Sequence, residues 1–218
     1  MKKTAILFLV LILMVGLSTS VFAEEIGLGY GFFETKEGGG EVNGLFLTSE
    51  IDYGSGYSDY FRWFIGDGDG IDYNMIDWTF YKKINSTKNN TDFYLGAGWK
   101  WLTEDIEYQG YKIYSSEWGL PLSAKMKINL ADGFTFGAEA DYWFLGSYEV
   151  DSNLGPGFEG DFTGFGFDIY AEKMLTENTS IKVGYANEDY TFGADDSVGI
   201  NDFDGGFSGF YFAGQVNY

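Results

Sequence analysis

Along most of this chain every second residue is large and apolar, and the residues between are small or polar. Ile26, Leu28, Tyr30 and Phe32 alternate with Gly27, Gly29 and Gly31. Phe93, Leu95, Ala97, Trp99 and Trp101 alternate with Tyr94, Gly96, Gly98 and Lys100. The same pattern runs from Glu117 to Leu130, from Phe134 to Tyr142 and from Phe165 to Glu172. Side chains on a strand point to opposite faces in turn, so each segment is predicted to be a strand with one apolar and one polar face. No convincing helical stripe follows the first segment, and the fold class is all-β. Strands are expected near 25–35, 43–53, 58–65, 72–83, 92–103, 112–130, 134–147, 162–175, 179–190 and 207–218. That makes about ten, or eight if the hairpin around Tyr60 to Ile65, aromatic on both faces, is a loop.

The destination of the apolar face decides the architecture. A soluble sandwich or barrel turns it inward, whereas a transmembrane barrel turns it to lipid and keeps glycine, serine and charge inside. Here the polar faces are rich in glycine, which weakens strands and is a poor choice for a water-facing wall. They also carry both signs of charge: Glu50, Arg62, Lys100, Glu117, Lys125, Lys127, Glu139, Asp141, Asp168, Glu172 and Lys182. The expected lumen network is Arg62, Lys100, Lys125, Lys127, Glu139, Asp141, Asp168, Glu172 and Lys182, with Lys125, Lys127 and Lys182 answering the carboxylates. Aromatics close the apolar faces at both ends, with Tyr30, Phe32, Trp63, Trp99, Trp101, Tyr142 and Phe144 at one and Tyr53, Phe93, Phe134 and Tyr218 at the other. Such girdles mark bilayer boundaries. The later connections run about seven, three, fourteen, three and sixteen residues, the alternation of long outer loops and short periplasmic turns. The reading is a closed antiparallel up-and-down transmembrane barrel.

The first segment reads as an export signal. Lys2 and Lys3 precede an apolar run from Ala5 to Leu17, and Val21-Phe22-Ala23 ends it with small residues where a peptidase needs them. Cleavage is expected after Ala23, leaving residues 24–218 as the barrel domain; an uncleaved anchor is the alternative, disfavoured because the run is short of the roughly 20 residues a spanning helix needs. The mature chain would carry 11 basic against 33 acidic residues. That balance argues against nucleic acid, whose phosphates are held by Lys and Arg. With Cys 0 and His 0, disulfides, thiolate or imidazole metal sites and His-dependent nucleophiles are excluded. No cofactor is implied.

The last strand, Phe207 to Tyr218, resembles the C-terminal recognition strand of Gram-negative outer-membrane proteins. It ends on Tyr218 with Phe210, Phe212 and Val216 at alternate positions, and Ala213, beside Gly214, stands where the family has glycine. With the export signal and the glycine-aromatic hairpins, the chain resembles small outer-membrane barrels of the opacity-protein, OmpX and OmpA-membrane-domain type, a porin-like superfamily. The resemblance implies the outer membrane, reached through the periplasm, and the barrel-assembly machinery, outer-membrane lipid and lipopolysaccharide as partners. It carries no specific activity. Barrel enzymes of that membrane resemble one another in needing an active-site His, which this chain lacks.

Three features could carry chemistry. Glu139 and Asp141 share a face, and Asp168 and Glu172 stand on the next strand, an arrangement open to acid-base work but more simply a salt-bridged lumen. Asp67, Asp69 and Asp72 alternate around glycines in a way that can wrap Ca²⁺, although Trp78 stands where an EF-hand needs its bidentate acid. A flexible hairpin tip is the plainer reading. The loops are acidic (Glu104, Asp105 and Glu107; Glu149, Asp151, Glu159 and Asp161; Asp195, Asp196, Asp202 and Asp204) and can bind divalent cations that bridge to lipopolysaccharide. Two functions remain: a non-enzymatic surface protein for envelope structure, adhesion or surface interaction, or a narrow cation-preferring channel. Inward bulk at Phe46, Tyr60, Phe64, Tyr81, Tyr94, Trp143, Tyr170 and Tyr211 favours the first, while the glycine-lined wall leaves some room for the second.

Overall fold

A computed structural model describes residues 25–36, 40–86, 90–108, 110–153, 155–193 and 202–218. The export signal and its cleavage site at Ala23 lie outside them, as do Asp195 and Asp196. Ten strands follow one another in sequence: β1 (Glu25–Thr35), β2 (Glu41–Asp52), β3 (Tyr57–Gly68), β4 (Ile71–Ser86), β5 (Thr91–Tyr108), β6 (Tyr111–Asn129), β7 (Phe134–Ser152), β8 (Gly155–Met174), β9 (Thr179–Phe192) and β10 (Phe203–Asn217). Each pairs antiparallel with its neighbours, and β1 pairs with β10 from Glu25↔Asn217 to Thr35↔Phe207, so the barrel is closed. Closure leaves no unpaired edge, the condition for backbone to lie in hydrocarbon. The hairpin read as doubtful is present as β3 and β4, and the count is ten.

Successive partners around the wall are Gly29, Phe46, Phe64, Met75, Leu102, Glu117 and Tyr148. Gly29 is mid-strand and Tyr148 is near a hairpin tip, so this path climbs the wall and the strands tilt, as barrel closure demands. Pro121, which cannot donate to the ladder, sits at the register shift between Leu120 and Pro121. We call the end with both described strand termini, Glu25 and Asn217, the near end, and the end where β3, β5 and β7 finish, at Gly68, Tyr108 and Ser152, the far end.

The loop-length expectation needs correction. β7 continues to Ser152 and β8 begins at Gly155, so the expected fourteen-residue loop is mostly a strand hairpin. Glu149, Asp151, Glu159 and Asp161 belong to those strands. The pattern concealed this because beyond the apolar band the two faces trade character: Glu149, Asp151 and Glu159 face out to water while Tyr148, Val150 and Phe158 pack inward. Similarly, within the Gly66 to Gly70 run only Asp69-Gly70 turns, with both residues at positive φ (49° and 82°), the chemistry a two-residue hairpin requires.

Candidate functional site

The outer wall is apolar throughout its middle: Leu95, Leu122, Ile169, Ile181 and Val183 are all exposed. Phe32, Trp99, Tyr142, Phe144 and Phe210 ring it toward the far end, and Tyr53, Phe93, Phe134 and Tyr218 ring it at the near end. The indole nitrogens of Trp63 and Trp101 donate to Asn74 Oδ1 at 2.7 Å and Ser116 Oγ at 3.1 Å, the polar handles of interfacial tryptophans. Such a surface is costly in water and suited to lipid. Among the described residues no helix is long and apolar enough to cross a membrane.

The interior holds two layers. The one toward the near end is ionic. Arg62 on β3 pairs with Asp77 on β4 at 3.1 Å, Asp168 on β8 at 3.5 Å and Glu188 on β9 at 3.7 Å. Lys100 on β5 is fully buried between Glu188 and Asp77 and faces the Trp143 ring at 4.7 Å. Glu50 on β2 receives Lys125 at 3.0 Å and Lys127 at 2.9 Å from β6, across the lumen. Lys182 reaches Glu25 at 3.7 Å, and Gln215 also bonds Glu25. The structure thus places Arg62, Lys100, Lys125, Lys127, Glu139, Asp141, Asp168 and Lys182 on the inner face, but pairs them differently from expectation. Lys125 goes to Glu50 rather than to Glu139 or Asp141. Those two carboxylates instead accept from hydroxyls, Glu139 from Tyr81 and Asp141 from Ser123. Glu172 is half-buried in register opposite Lys182.

Asp77 and Glu188, the two carboxylates that join Arg62 to Lys100, escaped the sequence reading. Their signal was present: Met75, Asp77, Thr79 and Tyr81 alternate on β4, as do Lys182, Gly184, Ala186, Glu188 and Tyr190 on β9.

The layer toward the far end is aromatic. Phe33 packs edge-on against Phe64 and Phe207, each at 5.3 Å, and Tyr73 joins them. Across the barrel Trp143, Phe162, Tyr190, Phe192 and Tyr148 form a second cluster. Of the expected inward bulk, Phe46, Phe64, Tyr81, Trp143, Tyr170 and Tyr211 are buried, while Tyr60 and Tyr94 are half-buried. The inner glycines make sockets rather than room. Gly96 faces Tyr81, Gly164 faces Tyr190 and Gly160 faces Tyr148, each directly across the ladder, and a Cβ at any of them would lie 2.7–2.8 Å from the ring. The lumen retains a cavity of about 30 Å³ under the aromatic layer and one of about 20 Å³ in the ionic layer. Each has space for roughly one or two waters.

The far end is acidic. A rung on the outer face runs Asp67, Asp72, Asp105, Tyr114, Asp151, each directly opposite the next. It borders a groove of about 1010 Å³ whose one lysine, Lys112, pairs with Glu107 at 3.2 Å. The calcium loop is not formed. Asp69 Oδ2 accepts the Glu41 N–H at 2.9 Å, Asp67 and Asp72 lie on the outer face, and among the described residues no three acidic side chains gather around a metal position.

No protein-family model and no curated protein sequence matches the chain. Among solved structures, the outer membrane protease OmpT from Escherichia coli superposes with a TM-score of 0.63 at 9% identity, covering 92% of this chain and 99% of that one. The fold is that of an outer-membrane β-barrel. Neisserial surface protein A (TM-score 0.40, 13% identity, 91% and 98% covered) and Ail of Yersinia pestis (0.38, 10%, 90% and 97%) are more distant. At these identities the likeness is one of fold alone.

Proposed function

We propose that this protein is a closed, non-enzymatic outer-membrane barrel that presents an acidic far end to the outside, for surface interaction or envelope structure. The observation that carries the reading is the filled lumen. An aromatic layer lies over an ionic one, and the remaining cavities are water-sized. A solute path would need both layers to move, and both are built from side chains of the barrel wall. The channel reading has no comparable support.

Enzymatic action is likewise unsupported. The likeness to a protease is one of fold, the chain has His 0, and the inner carboxylates Asp77, Glu139, Asp141 and Asp168 are each engaged by a neighbouring side chain. In outer-membrane barrels the termini face the periplasm, which puts the groove and its acidic rung outside. Such a rim attracts cationic surfaces and meets anionic lipopolysaccharide only through divalent cations. The test uses vesicles carrying the refolded protein, settled on surfaces coated with cationic or anionic polymer. Binding to the cationic coat should fall with salt and with the Asp72→Asn, Asp105→Asn, Asp151→Asn triple variant. Equal binding by the variant would contradict the surface role of the rim.

A further inference from the structure

A carboxylate stands on the outer wall close to the near end. On β3, Ser58, Tyr60 and Arg62 turn inward, so Asp59 turns outward, between Tyr57 and Phe61. Its direct partners across the ladder are the apolar Ile51 on β2 and Phe80 on β4. Asp59 is nevertheless only 4% exposed, because Tyr53 and Trp78 fold over it. The Tyr53 hydroxyl donates to Asp59 Oδ2 at 2.9 Å, and the Trp78 indole N–H donates to the same oxygen at 3.2 Å. Both donors take Oδ2, and among the described residues no cation pairs with Asp59. Lys82 on β4 is placed to do so: it stands directly opposite Tyr57, one diagonal step from Asp59 on the same outer face. Its ammonium instead lies over the Tyr57 ring at 3.6 Å and donates to the Ser55 carbonyl, in the turn between β2 and β3, at 3.1 Å.

A charged group on a wall that faces lipid is costly and calls for a partner. Two neutral donors at Oδ2 supply hydrogen bonds but no counter-charge. Lys82 has the matching need, since a carbonyl and a ring face leave its positive charge unneutralised. Around both charges stand exposed aromatic rings, Tyr53, Tyr57 and Trp78, surfaces that attract an ammonium. One ligand answers both needs: a zwitterion with a primary ammonium at one end and a phosphate at the other. Diagonal neighbours on a sheet stand roughly 7–8 Å apart, a span that an ammonium and a phosphate within one headgroup can bridge. We propose that Tyr53, Asp59, Trp78 and Lys82 form a headgroup site for a phospholipid of the phosphatidylethanolamine type. The ammonium donates to Asp59 Oδ1, the phosphate pairs with Lys82, and the acyl chains follow the apolar wall that begins at Phe80 and Leu95. Tyr53 belongs to the near-end girdle, so the site lies at the depth of lipid headgroups. It is separate from the acidic far end and does not depend on the surface role proposed for that rim.

Native mass spectrometry of the refolded protein in detergent micelles counts the lipids it retains. Phosphatidylethanolamine and phosphatidylcholine with matched chains are offered together, because a trimethylated ammonium keeps the charge but has no N–H to donate. The expected result is one phosphatidylethanolamine per barrel, preferred over phosphatidylcholine by about tenfold, as one charge-assisted hydrogen bond implies. Asp59→Asn keeps an acceptor for Tyr53 and Trp78 and should abolish the preference. Lys82→Met should lower retention of both lipids and leave their ratio unchanged. Where Asp59→Asn fails to refold, the unmodified protein and Lys82→Met carry the test. Equal retention of the two lipids by the unmodified protein would overturn the proposal, and so would a preference that survives Asp59→Asn. Stronger retention of phosphatidylglycerol than of phosphatidylethanolamine would also overturn it, leaving Lys82 as a plain contact for anionic lipid.

Discussion

The ring of Tyr81 lies against Gly96, its direct partner on the next strand, so closely that a β-carbon on Gly96 would stand 2.7 Å from Cδ1. The phenol then reaches Glu139 on the far wall. The glycine is therefore the socket that lets one tyrosine cross the lumen, and the repeated Gly-aromatic pairing is how a ten-stranded barrel fills itself. Gly96→Val should lower the unfolding free energy of the refolded barrel by about 1–3 kcal/mol through overpacking. Gly214→Ala is the control, because a Cβ there meets nothing within 4 Å. Equal loss in the two variants would show that backbone effects, not the socket, explain the glycines.

Glu50 is the single anion for two lysines, Lys125 at 3.0 Å and Lys127 at 2.9 Å. Glu50→Gln should destabilise the barrel by about 3–5 kcal/mol, because it leaves buried ammonium groups without a partner. Adding Lys125→Met to that variant should recover part of the loss. The readout is the denaturant midpoint in micelles. A near-neutral Glu50→Gln would mean that the lysines find other acids, Glu139 first among them.

The apolar outer face predicts a depth-dependent penalty for charge. Val183, exposed in the middle of β9, should lose about 2–4 kcal/mol on replacement by Arg in a bilayer. Tyr114, exposed near a far-end tip and flanked by Asp105 and Asp151, should accept Arg at little or no cost. Equal effects at the two positions in bilayer unfolding experiments would contradict the placement of the lipid band.

Much of this was legible in the sequence, for reasons that differ by residue. Alternation alone placed Leu122 outward and Lys125 inward, because a strand has only two faces and one of them was glycine and charge. It could not pair Lys125 with Glu50, since those residues are 75 positions apart and meet across the lumen, where the tilt of the wall decides which levels coincide. Nor could it show that Gly96 and Gly164 are filled sockets rather than space. That depends on register with Tyr81 and Tyr190, which one strand's pattern does not contain. The extension of β7 through Glu149 and Asp151 was hidden because neither face of it meets lipid.

The central claim is that the lumen is closed by its own wall side chains. Single-channel recording of the refolded protein in a planar bilayer tests it directly, with a heat-dependent gel shift confirming beforehand that the barrel has folded. The account predicts insertion without conductance steps. It also predicts that conductance appears only when both layers are opened, for example by Phe64→Ala and Phe207→Ala together with Arg62→Ala. Steady, cation-preferring steps from the unmodified protein would contradict it.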